Sequence, residues 1–354
     1  MNRSVVALFS GCGGLDLGFT QAGFDITWAN EYDKNIWETY EKNHVDTILD
    51  KRDIRNISTK EIPDCIGIIG GPPCQSWSEA GTQKGIEDER GQLFLDYIRI
   101  LEDKQPLFFL AENVSGMLQQ KHSKAFNDIT NSFKNAGYSI SCQLINAKDY
   151  GIPQDRKRVI IVGYRNDLGG KFDFNLLKKV KAVSSLENTI WDLKESALPA
   201  LTTQKTNGKN CTMSNHEYMI GDFSSIYMSR NRVRSWNEPS FTIQAGGRQA
   251  PIHPQANKMI SVAKDKRVFD PSSLHPYRRL SVRECARIQT FPDNFKFYYK
   301  NLADGYKMIG NAVPVDLACE IAEVIKMQVF GSEQVDTQTY LIESKNLKDL
   351  SLAL

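Results

Sequence analysis

The stretch CIGIIGGPPCQSW, residues 65–77, decides the fold class of this 354-residue chain. Its first five residues are rich in isoleucine and predict a short buried strand. Paired glycines and paired prolines end that strand abruptly, so Cys74 follows on a stiff loop just past the carboxyl end of the strand. Ligands bind at that edge in an open α/β sheet. The thiol of Cys74 is therefore a candidate nucleophile, although a plain loop cysteine beside a structural proline pair would look the same.

Strand and helix patterns alternate from the N-terminus to about residue 165. Asp33 is predicted to cap a helix that runs through Trp37 and Tyr40. The alternation predicts an α/β fold with a doubly wound, mostly parallel sheet. The predicted strands are 5–9, 26–30, 66–69, 107–111, 140–146 and 158–163, with one more before Asp53, and the other predicted helices are 15–22, 93–101 and 125–136.

The pattern changes near Leu168. Residues 179–276 show weak periodicity and many Ser, Thr, Asn and Gln, which predicts a separate, irregular lobe. A helical pattern returns at 281–288, where Ser281 and Glu284 suit a capping box, and a last helix is predicted from 315 to 327. The predicted domains are a catalytic domain, 1–178 completed by 303–330, a recognition domain, 179–302, and a polar tail, 331–354, that is expected to fray.

Composition excludes several classes of protein. Hydrophobic residues make up 41% and charged residues 24%, as in ordinary globular proteins, and no apolar run approaches the ~18 residues of a membrane span. The seven cysteines form no CxxC pair or Cys/His cluster, so neither disulfides nor a metal site is expected. The expected compartment is a reducing cytoplasm. No signal peptide is recognisable. A net charge of +2 neither demands nor excludes nucleic acid.

The turn after the first strand predicts a nucleotide-type pocket. Residues 10–14, SGCGG, let a ligand approach the backbone near a helix N-terminus, but their spacing is not GxGxxG. Glu31 suits a ribose diol, Tyr32 a purine ring, and Asp53-Ile54 the purine amino group. S-adenosylmethionine fits such a pocket, which lacks a pyrophosphate cradle, better than NAD does. Ordinary βα turns with capping acids remain the alternative.

Glu112, Arg156 and Arg158 complete a possible catalytic set with Cys74. A thiolate that adds to C6 of cytosine makes C5 nucleophilic, which the free base is not. The addition needs a proton or a strong hydrogen bond at N3, which a carboxylic acid provides. A fixed guanidinium can hold O2. Taken singly, Glu112 could equally be a helix cap and the arginines a solvated strand end.

Six segments resemble, in order, the motifs of DNA cytosine-5 methyltransferases. The resemblance spans residues 7 to about 320 and implies a Rossmann-like, S-adenosylmethionine-dependent methyltransferase fold. It implies Cys74 as the nucleophile, Glu112 as the N3 partner, and Arg156 and Arg158 as support for base and loop. The segments are 8–14 (LFSGCGG), 71–75 (GPPCQ), 112–114 (ENV), 154–158 (QDRKR), 278–289 (RRLSVRECARIQ) and 310–314 (GNAVP).

The same resemblance extends the candidate pocket and the loop. Gln75 and Ser76 lie on the loop expected to close over DNA after the base leaves the stack. Ala312 stands where many relatives have serine, which should not abolish binding. With the loop positions above, the candidate cofactor-binding residues are Phe9, Gly11, Gly13, Gly14, Leu15, Glu31, Tyr32, Asp53, Ile54, Pro73, Leu93, Asn311 and Val313.

An arginine-rich segment predicts what the irregular lobe contacts. Residues 228–249 hold four arginines against one acid, and an extended chain would put three of them on one face. Arginine contacts guanine O6 and N7 bidentately, although simple phosphate binding remains the alternative. The lobe resembles that of bacterial methyltransferases that modify GGCC, which implies the inner cytosine as target. It also implies guanine contacts for Arg230, Arg232 and Arg248, a DNA contact for Arg234 and, near the extruded base, one for Thr242.

The combined prediction is an enzyme that methylates C5 of a flipped-out cytosine in double-stranded DNA. We expect a monomer in the bacterial cytoplasm, associated with the nucleoid, without a metal and with a possible, independently acting restriction endonuclease. The five histidines are expected at the surface or near DNA. An RNA cytosine methyltransferase and a non-enzymatic DNA-binding module are the alternatives. The arginine-rich lobe argues against the first, and the intact Cys74, Glu112 and Arg158 against the second.

Overall fold

A computed structural model describes residues 2–73 and 93–331 of the chain. Cys74, Gln75 and Ser76, as well as the predicted tail beyond Gly331, lie outside the described residues. The strands are β1 (Ser4–Leu8), β2 (Asp25–Asn30), β3 (Ile48–Asp50), β4 (Gly67–Gly70), β5 (Phe108–Val114), β6 (Tyr138–Asn146), β7 (Gln154–Asp155), β8 (Lys157–Arg165), β9 (Leu198–Pro199), β10 (Glu217–Tyr218), β11 (Ser240–Phe241), β12 (Ile260–Ala263) and β13 (Lys266–Val268). The α-helices are α1 (Gly14–Gln21), α2 (Trp37–Asn43), α3 (Leu93–Lys104), α4 (Ser123–Asn135), α5 (Leu186–Ile190), α6 (Val282–Ile288), α7 (Leu302–Asn311) and α8 (Val315–Phe330).

Within the described residues, seven strands form one sheet in the order β3-β2-β1-β4-β5-β8-β6. The ladders are parallel except where β8 runs against β5 and β6. Helices α1 and α8 cover one face through one hydrophobic cluster, and α3 and α4 cover the other through a second. The prediction of a doubly wound, mostly parallel sheet is therefore confirmed.

The strand order reverses beside β1. Because β2 and β4 lie on opposite sides of β1, the loops that leave β1 and β4 diverge at the carboxyl edge. A crevice at such a switch point is where ligands bind in open α/β sheets. The Gly-rich loop after β1 and the Gly-Pro segment after β4 border this crevice.

The second lobe contains little regular structure. Its described part has the short strands β9 to β11, the antiparallel hairpin β12–β13 and the helices α5 and α6. Buried arginine side chains supply much of its order instead. Arg283 is fully buried and donates to the carbonyls of Ser214, Pro292 and Phe295. The domain boundaries at 178/179 and 302/303 stay predictions.

Helix α6 begins as predicted. Ser281 accepts a hydrogen bond from the backbone N–H of Glu284, whose carboxylate accepts one from the N–H of Ser281, so both halves of the capping box are present. The predicted helix at Asp33 needs correction, because α2 begins after Ile36 without a side-chain cap. The carboxylate of Asp33 bonds the backbone N–H of Asn35 and the ammonium of Lys307 instead. Helix α7 was not predicted.

The prediction of exposed histidines is wrong for four of the five. His44, His122, His216 and His253 are buried, and only His275 is exposed. The ring of His216 bonds the hydroxyl of Ser281 and the carbonyl of Leu193, both distant in sequence. Partners so far along the chain leave no local pattern, which is why the sequence showed none.

Candidate active site

A cavity of about 540 Å³ lies at the switch point of the sheet. Every predicted cofactor residue lines it except Gly13. Gly13 acts indirectly: its left-handed φ of 86° starts α1, and a Cβ there would collide with the ring of His44. The lining also includes Ser10 and Ala312, which lie in segments that the sequence analysis assigned to the pocket, and Glu112, the predicted partner of the base. The remaining lining residues were not predicted to bind the cofactor, and these are Leu8, Asp16, Asn30, Asp33, Ile36, Arg55, Gly70, Gly71, Pro72, Lys307 and Met308.

Glu31 ties two loops of the pocket together. One carboxylate oxygen accepts the N–H of Gly11 at 2.9 Å and the other accepts the N–H of Asp33 at 2.7 Å. Burial raises the pKa of this carboxyl, while both N–H donors oppose the shift. The group is therefore held in place with lone pairs left for a ligand hydroxyl. Tyr32 beside it is 68% exposed, so its ring is free to cover a ligand.

Asp16 is a second buried carboxyl of the same pocket. Its oxygen accepts the hydroxyl of Tyr40 at 2.6 Å. Burial raises its pKa to about 6, partly offset by hydrogen bonds from Tyr40 and Ser10. Within the described residues, the hydrogen-bond partners of both Asp16 and Glu31 are neutral groups. The pocket therefore favours a ligand that carries positive charge.

Lys307 closes the rim of the pocket. Its ammonium lies 2.6 Å from the carboxylate of Asp33, which joins α7 to the loop after β2. Lys307 and Asn311 are four residues apart on α7, so both face the pocket. The helical spacing would have revealed Lys307 in the sequence if α7 had been predicted.

Glu112 and Arg158 form an ion pair at the carboxyl edge. Glu112 is on β5 and Arg158 opposes Val114 on β8, so the two side chains project from one face of neighbouring strands. The guanidinium Nε lies 2.8 Å from a carboxylate oxygen of Glu112, and both side chains are largely buried. The structure thus brings together two members of the predicted catalytic set.

The chain that leads to Cys74 passes directly beside this pair. The side-chain amide of Asn113 donates to the carbonyl of Pro72 at 3.1 Å. A Cβ on Gly71 would lie only 3.3 Å from the Glu112 carboxylate. Pro73 lines the cofactor cavity and is the last described residue before Cys74. The predicted nucleophile therefore follows a segment anchored between Glu112 and the pocket.

A second, open cavity of about 350 Å³ lies on the other side of Arg158. Its lining combines first-lobe residues with Phe241 and Thr242 of the second lobe. Strand β11 pairs with β7, and the Thr242 hydroxyl donates to the carbonyl of Asp155 at 2.6 Å. The Glu112–Arg158 pair thus stands between a cofactor-sized pocket and a cleft that both lobes line.

Arg156 lies behind this site rather than in it. Its guanidinium is buried and donates to the carbonyls of Ile243, Gly310 and Ala312 at about 3 Å. Gln154 and Gln289 are both fully buried and belong to the same network. The side-chain amide N–H of Gln154 donates a hydrogen bond to the side-chain oxygen of Gln289 at 2.9 Å. Arg156 therefore joins the second lobe to the C-terminal end of α7, where Asn311 lies, and its support of base and loop stays a prediction.

The four arginines of the second lobe differ in what they contact. Val233 is buried, its neighbours Arg232 and Arg234 are half-buried, and Arg230 is exposed, so the single face for the three arginines stays a prediction. Arg232 bonds the carbonyls of Tyr227 and Ile226. Arg234 pairs with Glu238 and lies over Phe241. Within the described residues, Arg230 and Arg248 make no side-chain hydrogen bond or ion pair and are exposed.

No group of His, Cys, Asp and Glu among residues 2–73 and 93–331 is arranged to hold a metal ion. In the same part of the chain, no helix has the length and apolar character needed to cross a membrane.

Comparison with known proteins gives a consistent result. The family model of C-5 cytosine-specific DNA methylases matches residues 3–327. The chain is 59% identical to Type II methyltransferase M.MthTI of Methanothermobacter thermautotrophicus, over 94% of this chain and 99% of the relative. It is 55% identical to Type II methyltransferase M.FnuDI of Fusobacterium nucleatum, over 98% and 99%. A crystal structure of a putative DNA modification methyltransferase from an E. coli prophage is similar at a TM-score of 0.72 and 25% identity, over 92% of this chain and 99% of that one.

Proposed function

The chain belongs to the family of C-5 cytosine-specific DNA methylases, and from this premise we propose that it methylates the inner cytosine of GGCC in double-stranded DNA, with S-adenosylmethionine as methyl donor. The observation that carries the proposal is the Glu112–Arg158 pair between a cofactor-sized pocket and a cleft that both lobes line. Such an arrangement keeps donor and base on opposite sides of one reacting centre.

The pocket fits S-adenosylmethionine by charge and shape. We assign Glu31 to the ribose hydroxyls and Tyr32 to the adenine ring. Asp16 and Glu31 have neutral hydrogen-bond partners and pKa values raised by burial, so a cationic ligand would stabilise their charged forms. When bound, S-adenosylmethionine supplies an electrophilic methyl group next to a positive sulfur.

We assign the covalent step to Cys74. Its thiolate forms a bond to C6 of the flipped-out cytosine, and the electron pair displaced from the ring moves to N3, where Glu112 donates a proton or a hydrogen bond. Arg158 holds O2 and orients Glu112. C5 then takes the methyl group that the bound donor would supply: the S–CH3 bond breaks, the bonding pair stays on sulfur as a neutral thioether, and the pair that forms the new bond at C5 returns from N3, whose proton goes back to Glu112. Loss of the C5 proton, to water, breaks the bond between sulfur and C6 and releases 5-methylcytosine.

The second lobe supports duplex DNA as the substrate. Arg230 and Arg248 are exposed and uncommitted, as arginines that contact guanine must be. Thr242 donates its hydroxyl to the carbonyl of Asp155 on β7, close to Arg158 in the chain, which suits a position near the extruded base. Since relatives carry the name Type II methyltransferase, we further propose a restriction–modification role, in which the enzyme protects DNA from an endonuclease that acts independently.

Methylation mapping tests this function. A plasmid grown with the wild-type protein, then sequenced after bisulfite conversion, should show 5-methylcytosine at the inner cytosine of every GGCC site. Cys74→Ser should leave all sites unmodified while the purified variant still binds a GGCC duplex. Modification in another sequence context would overturn the GGCC assignment. Labelling of a matched RNA but not of DNA would overturn the substrate class.

A further inference from the structure

The hairpin formed by β12 and β13 stands apart from the rest of the second lobe. Ile260 pairs with Val268, Ser261 with Arg267 and Ala263 with Lys266. Every residue of β12 is exposed, as are the two ends of β13. A hairpin of this length extends roughly 13 Å at the rise of a β-strand. It is therefore an arm with both faces largely in solvent.

The root of this arm is fixed to the segment that carries the exposed Arg230. The N–H of Met259 donates to the side chain of Asn231 at 3.0 Å, directly after Arg230. Met259 is buried in a small cluster with Tyr227 and Val233, and Phe269, on the other side of the hairpin, packs against the same cluster. The arm therefore leaves the lobe next to the proposed guanine contact.

The arm carries unpaired positive charge. Lys264, Lys266 and Arg267 stand against a single acid, Asp265. Within the described residues, none of the three basic side chains makes a hydrogen bond or an ion pair. Nearby Lys258 differs, because it lies 3.4 Å from Glu238. With a net charge of only +2 over the whole chain, this cluster is not a reflection of general basicity.

We propose that the hairpin binds the phosphates of duplex DNA that flanks the recognised base pairs. An arm of roughly 13 Å covers about four base pairs of DNA at 3.4 Å each, so it is as long as a GGCC site and could contact an equal length of flanking DNA. Exposed lysines and an arginine without partners suit phosphate, whereas sequence readout needs side chains aimed at base edges. The contact adds affinity without changing the preferred sequence. It rests on the action of the chain on duplex DNA, not on GGCC.

A salt titration with two duplexes tests this inference. One duplex carries the methylated site with two flanking base pairs on each side, and the other with ten. Lys264→Gln/Lys266→Gln/Arg267→Gln should bind the long duplex on the order of 10- to 100-fold more weakly than wild type. The slope of log affinity against log salt should fall by about 2 to 3, at ~0.9 for each lost phosphate contact. Binding of the short duplex should change much less.

A matched variant controls for total charge. Lys60, Lys134 and Lys171 are exposed and lie near the amino ends of the sheet strands or the end of β8, opposite the crevice. Their triple glutamine variant should bind both duplexes like wild type. Equal losses for the two triple variants, or equal losses on short and long duplexes, would overturn the proposal. If wild type methylates a sequence other than GGCC, that sequence replaces GGCC in both duplexes. The test of the hairpin therefore stays valid even when the proposed GGCC specificity is wrong.

Discussion

Arg158 and Arg283 show two different uses of one residue type in the two lobes. Arg158 stands on a strand whose backbone ladder fixes its distance to Glu112 on the neighbouring strand. Arg283 stands in a lobe with few ladders, and its guanidinium itself joins Ser214, Pro292 and Phe295 by their carbonyls. In the first lobe the backbone therefore positions the side chains, whereas in the second lobe side chains position the backbone.

This difference teaches which arginines are available for DNA. Arg156, Arg279 and Arg283 are buried and have their donors committed to backbone carbonyls. Arg230 and Arg248 are exposed without such bonds. Abundance of arginine in a segment thus predicts nucleic-acid binding only after the structural arginines are separated from the free ones.

The largest effect is expected where the first lobe is proposed to hold the base. Glu112→Gln keeps the shape of the side chain but removes its ionisable proton and its charge toward Arg158. We expect the methylation rate at saturating DNA and S-adenosylmethionine to fall by about 10²- to 10⁴-fold, the range of a lost general acid. Glu102→Gln, on the exposed side of α3, is the control and should match wild type. A Glu112→Gln enzyme within a few-fold of wild type would remove Glu112 from the mechanism.

The next effect concerns the structural arginines. Arg283→Met should lower the free energy of unfolding by about 3–5 kcal/mol, because several buried carbonyls lose their donor. Urea unfolding measures this loss. The matched variant Arg230→Met, in the same lobe but exposed, should change the same quantity by no more than about 0.5 kcal/mol. Similar stabilities for the two variants would contradict the division between structural and free arginines.

A buried carboxyl in each of the two lobes should give the free energy of unfolding an opposite dependence on pH. Burial raises the pKa of Asp16 to about 6, so the folded state holds its proton more tightly than the unfolded state at ~3.9. Its contribution to stability is complete below about pH 4 and is lost as pH rises through 6, about 3 kcal/mol in all. Asp16→Asn should therefore flatten the unfolding free energy between pH 4 and 7. If the free energy of unfolding of Asp16→Asn depended on pH as it does in wild type, Asp16 would not be a buried carboxyl with neutral hydrogen-bond partners.

Glu284 at the base of the second lobe provides the opposite sign. Burial alone would raise its pKa, but the charge and hydrogen bonds of Arg278, with His253 and His216, hold it lower, at about 2. Its contribution is present above the unfolded value of ~4.3 and is lost as pH falls through 2. Glu284→Gln should accordingly reduce stability at neutral pH and weaken the acid-side decline. A variant that keeps the wild-type decline below pH 4 would contradict this assignment.

The smallest effect concerns sequence discrimination. Arg230→Met should reduce the preference for GGCC over a mismatched duplex by about 1–3 kcal/mol, with little effect on stability. Arg232→Met should reduce the preference less and mainly lower stability, because the guanidinium of Arg232 is committed to the carbonyls of Tyr227 and Ile226. Competition binding measures the preference. An unchanged ratio of specific to non-specific affinity would remove Arg230 from guanine contact.

Local patterns were enough to predict the sheet and the edge at which the site lies. Apolar runs marked β1, β2, β4 and β5, and the acids that end the runs of β2 and β5 marked Glu31 and Glu112. Asp16 and Lys307 escaped because their roles depend on contacts with Tyr40 and Asp33, far along the chain. The buried role of Arg156 escaped for the same reason, since its three carbonyl partners come from the second lobe and α7.

A covalent trap tests the proposed reacting centre most directly. The protein would be mixed with S-adenosylmethionine and a duplex that carries 5-fluorocytosine at the inner position of GGCC, and the complex resolved on a denaturing gel. Fluorine at C5 cannot leave as a proton does, so the adduct should accumulate with wild type. We predict that peptide mapping places it on Cys74 and that Cys74→Ala abolishes it. An adduct that persists in Cys74→Ala, or none with an active wild-type enzyme, would contradict the account.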